Sequence, residues 1–301
     1  MTTGTFAVLG GRALLGLSGE DRRTFLQGLV SNDVTAVSAE RAVYAALLTP
    51  QGRFLHDLFL VEFGDTLLLD GEAAYLGDLE TRLSRYRLRA RVMLGPVGPS
   101  RPVAVAFGEG ALAALGLSDL PAGSAVPFGG DGLAYVDPRL PAAGARLVLP
   151  TGGTTDALAA RGLLPGTPDD YDDHRLTLGL PDGRRDMVPE QDLLLECGFE
   201  ELNGVDFKKG CYLGQETTAR TRYRGLVRKR LVPVTLDGPP VAPGTPVLCG
   251  GEDAGVLRSG LGRKALALLR LEHLEAARRG ETAAAGTRLT AHVPDWMHVP
   301  D

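Results

Sequence analysis

The sequence predicts an α+β protein with antiparallel sheets, followed by a small C-terminal β-barrel. Over the first 230 residues, helical and strand-like patterns mix without the regular strand–helix–strand repeat of a parallel sheet. From Leu231 onward, short apolar strands alternate with turns rich in Gly and Pro, which is typical of a small barrel. We therefore expect two domains, one spanning 1–230 and a barrel spanning 231–301.

The composition is that of an ordinary globular protein and excludes several other classes. The 301 residues, 44% hydrophobic and 23% charged, suffice for two or three packed modules. The three cysteines show no metal-ligand spacing, which disfavours a disulfide framework or a structural zinc site and favours a reducing cytoplasm. The chain shows no signal-peptide pattern and no run near the ~20 apolar residues of a membrane span, so we expect a cytoplasmic protein without a membrane segment.

The N-terminal third alternates strand patterns with two helical ones. Ser18 is the expected N-cap of the first helix, with Asp21 as its capping-box partner. The turn Gly64-Asp65 joins two apolar runs as in a hairpin. The amphipathic spacing of the second helix is clear. The predicted strands are 11–17, 43–48, 53–62 and 66–70, and the second helix is 73–89.

The remaining elements are shorter, and their patterns become strand-like after residue 231. Before that point, strands are predicted at 92–94, 103–107, 133–136 and 145–149, with helices at 111–115 and 151–161. After it, the predicted barrel strands are 231–236, 245–249, 254–258, 264–270 and 287–293.

The stretch 205–225 carries the most distinctive chemistry of the chain. Cys211 follows Lys208 and Lys209 and lies between Gly210 and Gly214. Nearby positive charge favours the reactive thiolate, and glycines permit a tight turn and close approach of a ligand. The alternative is a small buried hydrophobe in a turn, because free cysteine is among the most buried residue types.

The same part of the chain is basic within an acidic protein. Residues 201–230 contain eight Lys/Arg against three acids, a local net charge of +5 in a chain of −5. Arg220, Arg222 and Arg224 alternate, so an extended segment would place all three guanidinium groups on one face. Such a face suits an anionic ligand, the alternative being a solvated surface strand. Only Tyr212 and Tyr223 lie nearby for base stacking, which disfavours RNA binding.

At these residues the sequence resembles a known family. The run Lys-Gly-Cys-Tyr-x-Gly-Gln-Glu-x-x-Ala-Arg from Lys209 to Arg220 resembles the signature of YgfZ-type folate-binding proteins, relatives of the glycine-cleavage T-protein, an aminomethyltransferase. The run from Leu17 to Val34 resembles the opening of the same family. The resemblance implies the T-protein architecture, with two intertwined α+β modules around a folate cavity and a C-terminal β-barrel. It also implies tetrahydrofolate, or a one-carbon derivative, as the ligand.

Site residues follow from the resemblance. A pterin edge offers an amino group and a ring N–H to one carboxylate, and Glu190 has the family context for that carboxylate, the alternative being an exposed loop acid. The resemblance places Asp57 beside the reactive nitrogens of the folate, where the T-protein uses an aspartate; the alternative is a strand-edge acid. The resemblance implies that either Arg228 or Arg230 faces the ligand, but it does not distinguish between them. The further expected cofactor-binding residues are Lys209, Tyr212, Gln215 and Arg220.

The function expected from the resemblance depends on the cysteine. The T-protein motif has no cysteine at the position that Cys211 occupies here. The relatives that do carry this cysteine are linked to the maintenance of iron–sulfur enzymes. We therefore expect a tetrahydrofolate-binding protein that supports iron–sulfur cluster assembly or repair, with iron–sulfur proteins or assembly factors as transient partners. Cys211 can supply one ligand of a shared cluster or act as a nucleophile or redox thiol. The alternative is a folate-dependent aminomethyltransferase or demethylase, which Asp57 favours.

Overall fold

The computed structural model describes residues 4–152 and 155–299, and the chain falls into two compact units. Unit 1 consists of Met1–Leu48, His56–Tyr171 and Leu202–Leu213. Unit 2 consists of Thr49–Leu55, Asp172–Glu201 and Gly214–Asp301. The chain thus alternates between the units, whereas the sequence placed a single boundary after residue 230, which stays a prediction.

Unit 1 is built on two β-sheets with short helices. Its strands are β1 (Thr5–Val8), β2 (Arg12–Ser18), β3 (Val43–Leu48), β4 (Phe54–Phe63), β5 (Thr66–Glu72), β6 (Met93–Pro96), β7 (Val103–Phe107), β8 (Ala125–Phe128), β9 (Gly132–Val136), β10 (Ala145–Val148) and β11 (Leu164–Pro165). Its α-helices are α1 (Arg22–Gln27), α2 (Leu76–Arg85), α3 (Ala111–Ala114) and α4 (Asp156–Ala159), and α5 (Pro168–Leu178) begins here. Its 3-10 turns are Val34–Ala36, Ala73–Tyr75 and Pro141–Ala143.

The two sheets of unit 1 share a hydrophobic core. One has the strand order β3-β4-β5-β2-β6 and the other β11-β1-β7-β10-β9-β8. The hairpins β4–β5 and β8–β9 are antiparallel, and β1 pairs with β11 in parallel. Apolar residues from both sheets meet in one buried cluster: Leu14, Val61, Leu68, Val103, Leu133, Tyr135 and Val148. The second sheet buries its other face against α3 and α4.

Unit 2 contains a closed β-barrel. Its helices after α5 are α6 (Gly183–Asp186), α7 (Gln215–Tyr223) and α8 (Leu274–Arg278), with 3-10 turns at Leu194–Cys197 and Leu271–His273. The barrel strands are β12 (Lys229–Leu236), β13 (Pro246–Cys249), β14 (Glu252–Leu261), β15 (Lys264–Arg270), β16 (Thr282–Ala284) and β17 (Thr287–Ala291). They close in the order β12-β15-β14-β13-β16-β17, and Leu274 and Ala277 of α8 complete the apolar interior.

The structure confirms the α+β class and the C-terminal barrel. The strands predicted at 43–48 and 103–107 coincide with β3 and β7. The helix predicted at 151–161 is reduced to α4, and residues 153 and 154 lie outside the described part of the chain. No helix within 4–152 or 155–299 has the length and hydropathy needed to cross a membrane.

Two local predictions are wrong. Ser18 is the last residue of β2 and not a helix cap; Asp21 precedes α1, and its carboxylate accepts the Arg91 backbone N–H at 2.8 Å instead of capping. The segment with alternating arginines is helix α7 rather than a strand. Its buried residues, Thr218 and Thr221, are three positions apart, which is a helical spacing.

Candidate functional site

The loop that carries Cys211 is fixed to the C-terminal end of α1, within unit 1. The Lys209 ammonium donates to the carbonyl oxygens of Gln27 at 2.6 Å and Val30 at 2.5 Å. The Leu213 backbone N–H donates to the Gly28 carbonyl at 3.0 Å. Carbonyls at a helix end lack intrahelical partners and attract cations, so Lys209 serves as a cap supplied from outside the helix. The loop is therefore held on both sides of the cysteine.

The two lysines before Cys211 differ in their surroundings. Lys208 is exposed, whereas Lys209 is largely buried, and its ammonium lies 5.0 Å from the centre of the buried Tyr212 ring. Burial lowers the pKa of Lys209 to about 8, although the Asp33 and Asp206 carboxylates oppose this shift. The ammonium of Lys209 thus fixes the loop through backbone carbonyls, a role that the sequence analysis did not foresee.

The three cysteines have different accessibility. Cys211 is exposed, Cys249 is half-buried and Cys197 is buried. Burial raises the pKa of the Cys197 thiol well above its ordinary value, and the Asp192 carboxylate acts in the same direction. Because the thiolate is the reactive form, Cys197 is chemically inert at neutral pH. Cys211 is thus the most accessible thiol, as expected of a functional cysteine, and the alternative of a buried small hydrophobe is excluded at this position.

Asp57 belongs to a buried network of charges in unit 1. Arg12 Nη1 lies 3.2 Å from Asp57 Oδ1, and Arg12 Nε lies 2.7 Å from Asp70 Oδ1. Arg146 Nη2 contacts Asp70 Oδ2 at 2.6 Å. Burial opposes ionisation of Asp70, but the two guanidinium groups hold its pKa below the ordinary value. Asp57 is therefore a paired interior carboxylate and not a strand-edge acid.

Aromatic rings line this network. The guanidinium of Arg146 lies 3.7 Å from the centre of the Phe59 ring, and that of Arg139 lies 4.9 Å from it. Tyr44 packs against Phe59 with ring centres 4.9 Å apart, and burial raises the pKa of Tyr44 well above its ordinary value. Cation–π contacts of this kind gain strength when they are removed from water. The buried arginines are thus stabilised by contacts with aromatic rings as well as by ion pairs.

A cavity in unit 1 reaches the edge of this network. It has a volume of about 380 Å³ and is lined mainly by apolar residues of β1, β2 and the segment after β6. Arg12, which contacts Asp57, is part of the lining, and Arg101 is the other charged residue there. The cavity therefore lies one side chain away from Asp57.

Glu190 lies in unit 2, in a turn with an unusual backbone. Its φ is +64°, in the left-handed region that residues with side chains rarely adopt. Its side chain is exposed, which agrees with the alternative of an exposed loop acid, and its role as the pterin carboxylate stays a prediction. Its backbone N–H donates to the Phe54 carbonyl at 2.8 Å. Left-handed non-glycine residues are typical of ligand sites, where the surrounding structure maintains the strain.

The turn around Glu190 is maintained by residues that the sequence analysis missed. The Asp192 carboxylate accepts the Val188 backbone N–H at 2.7 Å and pairs with Arg258 at 2.9 Å. Arg53 adds a hydrogen bond from Nη1 to the Gln191 carbonyl at 2.6 Å. The spacing of Val188 and Asp192, four residues apart around a Pro, is a turn signal that could have revealed Asp192. Arg258 is distant from Asp192 in the sequence, and no local sequence pattern indicates that the two residues pair.

Helix α7 presents part of the basic stretch to solvent. Arg220 and the cap residue Arg224 are four positions apart and lie on one face of the helix. Arg222 is about 200° away around the axis and pairs with Glu200 at 2.6 Å. The helix thus divides the three arginines that the predicted strand would have aligned. Gln215, its first residue, is half-buried.

The two candidate tail-binding arginines after α7 have different environments. Arg228 is exposed. Arg230 is buried and donates to the carbonyls of Leu195 at 2.5 Å and His298 at 2.6 Å, and it also pairs with Glu201. Its guanidinium thus stabilises unit 2 internally, which leaves Arg228 as the exposed member of the pair.

Two glycines set the position of α7 in unit 2. Gly214 precedes the helix with a φ of +81°, and a Cβ there would lie 2.4 Å from the Thr49 carbonyl. Gly52 has a φ of +79°, and a Cβ there would lie 2.6 Å from the Gly214 carbonyl. Neither contact leaves room for a side chain. Thr217 adds a hydrogen bond from its hydroxyl to the Gln51 carbonyl at 2.7 Å.

The described residues hold no internal metal centre. Across 4–152 and 155–299, no group of three or more His, Cys, Asp or Glu side chains is arranged to bind a metal ion. Cys211 is the only fully exposed thiol among these residues, so a metal bound there would need further ligands from another molecule.

Comparison with known proteins identifies relatives and a fold. Residues 228–299 match the family described as CAF17, C-terminal beta-barrel domain. The mitochondrial iron–sulfur cluster assembly factor IBA57 of Mus musculus is 37% identical over 309 residues, covering 96% of this chain and 84% of the relative. The Homo sapiens protein of the same name is 37% identical, with the same coverage. The glycine cleavage system aminomethyltransferase T of Bartonella henselae superposes with a TM-score of 0.76 over 98% of this chain and 87% of that one, at 18% identity.

These matches confirm one part of the predicted resemblance and contradict the predicted location. The T-protein-like fold and its C-terminal barrel are confirmed, whereas the YgfZ type stays a prediction. The predicted cytoplasmic location is contradicted, because these relatives are named as mitochondrial proteins. That prediction rested on free thiols and on the lack of a secretory signal pattern. Both fit a reducing environment but do not distinguish one reducing compartment from another.

Proposed function

Because the chain belongs to the IBA57 family of iron–sulfur cluster assembly factors, we propose that it supports the assembly or repair of iron–sulfur clusters, with Cys211 as its functional thiol and tetrahydrofolate as its ligand. The observation that carries the proposal is the exposure of Cys211 in a loop anchored to α1 by Lys209 and Leu213. An anchored loop presents a thiol in a fixed position, as a ligand or nucleophile requires.

In this proposal, Cys211 supplies one of several ligands to an iron–sulfur cluster. Cysteine-ligated clusters commonly use four thiolates, whereas Cys249 is half-buried, Cys197 is buried, and the described residues hold no group of three or more metal-binding side chains. The other ligands must therefore come from an iron–sulfur protein, an assembly factor or a small thiol. This makes the interaction with the partner transient, since the cluster leaves with it.

Unit 2 carries polar side chains of the kinds that a reduced folate requires, which supports this ligand. A pterin needs a carboxylate, and Glu190 supplies an exposed one on a turn held by Asp192. The glutamate tail needs cations, and Arg220, Arg224 and Arg228 are exposed. When bound, the folate would supply one-carbon chemistry. The residues of this chain would bind its edge through Glu190 and its tail through the guanidinium groups.

A second function, folate-dependent aminomethyl or methyl transfer, is favoured by one observation. Asp57 is buried beside Arg12, which also lines the 380 Å³ cavity of unit 1. A carboxylate in such a place can orient or accept a proton from a substrate amine that reaches it. The pairing with Arg12, however, also suits a purely structural charge.

The test combines folate titration with an assay for transferase activity. The proposal predicts saturable tetrahydrofolate binding by calorimetry and no formation of methylenetetrahydrofolate with the glycine-cleavage partner proteins. Product formation that disappears in Asp57→Asn but persists in Cys211→Ser would favour the transferase. Absence of folate binding in the wild-type chain would remove the ligand from the proposal.

A further inference from the structure

A second surface combines positive charge with exposed apolar side chains, and it lies in unit 1 where α2 ends. The segment from 85 to 93, the 85–93 loop, connects α2 to β6. Leu88 is 90% exposed, Met93 68% and Tyr86 40%. Single exposed apolar side chains are ordinary, but apolar side chains that cluster on one surface mark interaction sites, and these three lie within nine residues.

Arginines are interleaved with these apolar residues. Arg85, Arg87 and Arg89 are exposed, and no carboxylate of the described residues forms an ion pair with them. Arg91 pairs with Glu20 at 2.7 Å. The chain as a whole carries a net charge of −5, so these arginines form a local basic surface on an acidic protein, as the stretch around α7 does.

The loop is held in place rather than loosely connected. Val92 is buried, and the Arg91 backbone N–H donates to the Asp21 carboxylate at 2.8 Å. The Ala90 backbone N–H closes a turn onto the Arg87 carbonyl at 2.7 Å. Leu88, within that turn, has a φ of +40°, which is strained for a leucine. A fixed loop that maintains strain at its most exposed apolar residue is pre-organised for binding.

The chemistry of the surface defines its occupant. We propose that the 85–93 loop docks an acidic segment of a partner protein, whose apolar side chains cover Leu88 and Met93. Tyr, Met and Arg are the residue types enriched in protein interfaces, and Lys is depleted there; the 85–93 loop contains no lysine. The unpaired guanidinium groups select carboxylates on the partner.

A shallow, open depression beside the loop gives the segment a place to lie. It has a volume of about 510 Å³ and is formed by residues 87–93 together with Gly19 and Glu20. Glu20 is already neutralised by Arg91, so it does not repel an acidic ligand strongly. The proposal goes beyond cluster assembly and folate binding and depends on neither.

The experiment uses a fluorescein-labelled short peptide that alternates Glu with Leu and Phe, and it measures fluorescence anisotropy with the full chain. Binding should be saturable and should weaken about tenfold between about 0.1 M and 1 M salt, since the Debye length falls from ~10 Å to ~3 Å. Leu88→Ser should weaken binding about tenfold, and so should the double variant Arg87→Glu, Arg89→Glu. Leu248→Ser and Arg288→Glu, at exposed barrel positions, should bind as the wild type does.

Other results would overturn the proposal. These are failure of the peptide to bind the wild type, equal binding of a peptide with Ser in place of Leu and Phe, or full affinity in the Leu88 and Arg87/Arg89 variants. Preferential binding of phosphatidylglycerol vesicles or of polyuridylate RNA, lost in the same variants, would assign the surface to a membrane or to nucleic acid instead. Leu88→Gly, which tolerates the positive φ, replaces the serine variant if near-UV circular dichroism shows misfolding.

Discussion

Lys209 and Gln27 exchange two hydrogen bonds: the Lys209 ammonium donates to the Gln27 carbonyl at 2.6 Å, and the Gln27 side-chain amide donates to the Lys209 carbonyl at 3.3 Å. The same amide donates to Asp33 at 2.9 Å. The two bonds between Gln27 and Lys209 join residues 182 positions apart in sequence and fix the backbone two residues before Cys211. The position of the exposed thiol thus depends on a largely buried lysine.

Burial of Lys209 gives stability a definite pH dependence. Its pKa falls from the ordinary 10.5 to about 8 in the folded chain. Between these two values the unfolded chain binds more protons than the folded one, so the contribution of Lys209 to the free energy of unfolding rises with pH in that window. Urea unfolding of the wild type and of Lys209→Met should show a difference in unfolding free energy that shifts in favour of the wild type from pH 8 to 10.5.

Comparison with Lys209→Met removes the contribution of all other titrating groups to the pH dependence, because the wild type and the variant share those groups. A difference that stays constant across this window would mean that Lys209 keeps an ordinary pKa and is not desolvated. Lys208→Met, at an exposed neighbouring position, should change the unfolding free energy by less than about 0.5 kcal/mol.

Thiol reactivity should follow exposure. Iodoacetamide at neutral pH should label Cys211 first, Cys249 more slowly and Cys197 last, because Cys197 is buried and its thiol pKa is raised. Peptide mass spectrometry over time gives the three rates. Labelling of Cys211 no faster than Cys249 would show that the loop shields the thiol.

Glu190 should matter for folate but little for stability. Glu190→Gln replaces one acceptor oxygen by a donor, which costs about 1.5–3 kcal/mol of charged hydrogen bonding and weakens tetrahydrofolate binding about 10- to 100-fold. Calorimetry measures this, with the exposed neighbour Gln191→Ala as the matched control. Unchanged affinity in Glu190→Gln would remove this residue from the site.

The variant Glu190→Gly distinguishes the contribution of the left-handed backbone at this position from that of the carboxylate. Glu190→Gly suits the φ of +64°, so relief of strain and the extra freedom of the unfolded chain should nearly cancel, with a change in unfolding free energy within about 1 kcal/mol. Folate binding should nevertheless be lost. Retention of binding by the glycine variant would indicate that only the turn, and not the carboxylate, is needed.

The exposed arginines around α7 should bind the folate tail. The triple variant of Arg220, Arg224 and Arg228 to Ala should weaken a polyglutamylated folate more than the monoglutamate, and wild-type affinity should fall with salt. Arg222→Ala, which breaks only the pair with Glu200, is the control and should bind normally. Salt-independent affinity with no loss in the triple variant would identify these arginines as merely solvated.

The sequence predicted the fold where apolar periodicity is strong. Residues 43–48 and 103–107 are apolar throughout, and each forms a fully buried strand. It failed at α7, where Ala219 is the only aliphatic residue before Tyr223 and the alternating arginines dominated the pattern. The strand Thr282–Ala284 was missed because two alanines give no β-branched signal.

The candidate site was predicted in part, for a physical reason. The lysines and glycines next to Cys211 in the sequence indicated an accessible thiol near positive charge, and the thiol is exposed. The partners of Lys209 and Asp57, however, come from α1 and β2, far away in sequence, and only folding brings them together. A single sequence contains no record of such pairings.

The most direct test of the central claim is the activity of iron–sulfur enzymes in cells that lack this protein and receive variants of it. Cys211→Ser changes little volume at an exposed position, so expression, folding and folate binding should survive. Cys249→Ser is the matched control and should restore enzyme activity as the wild type does. The account predicts that Cys211→Ser fails to restore it; full restoration by this variant would contradict the role of the thiol.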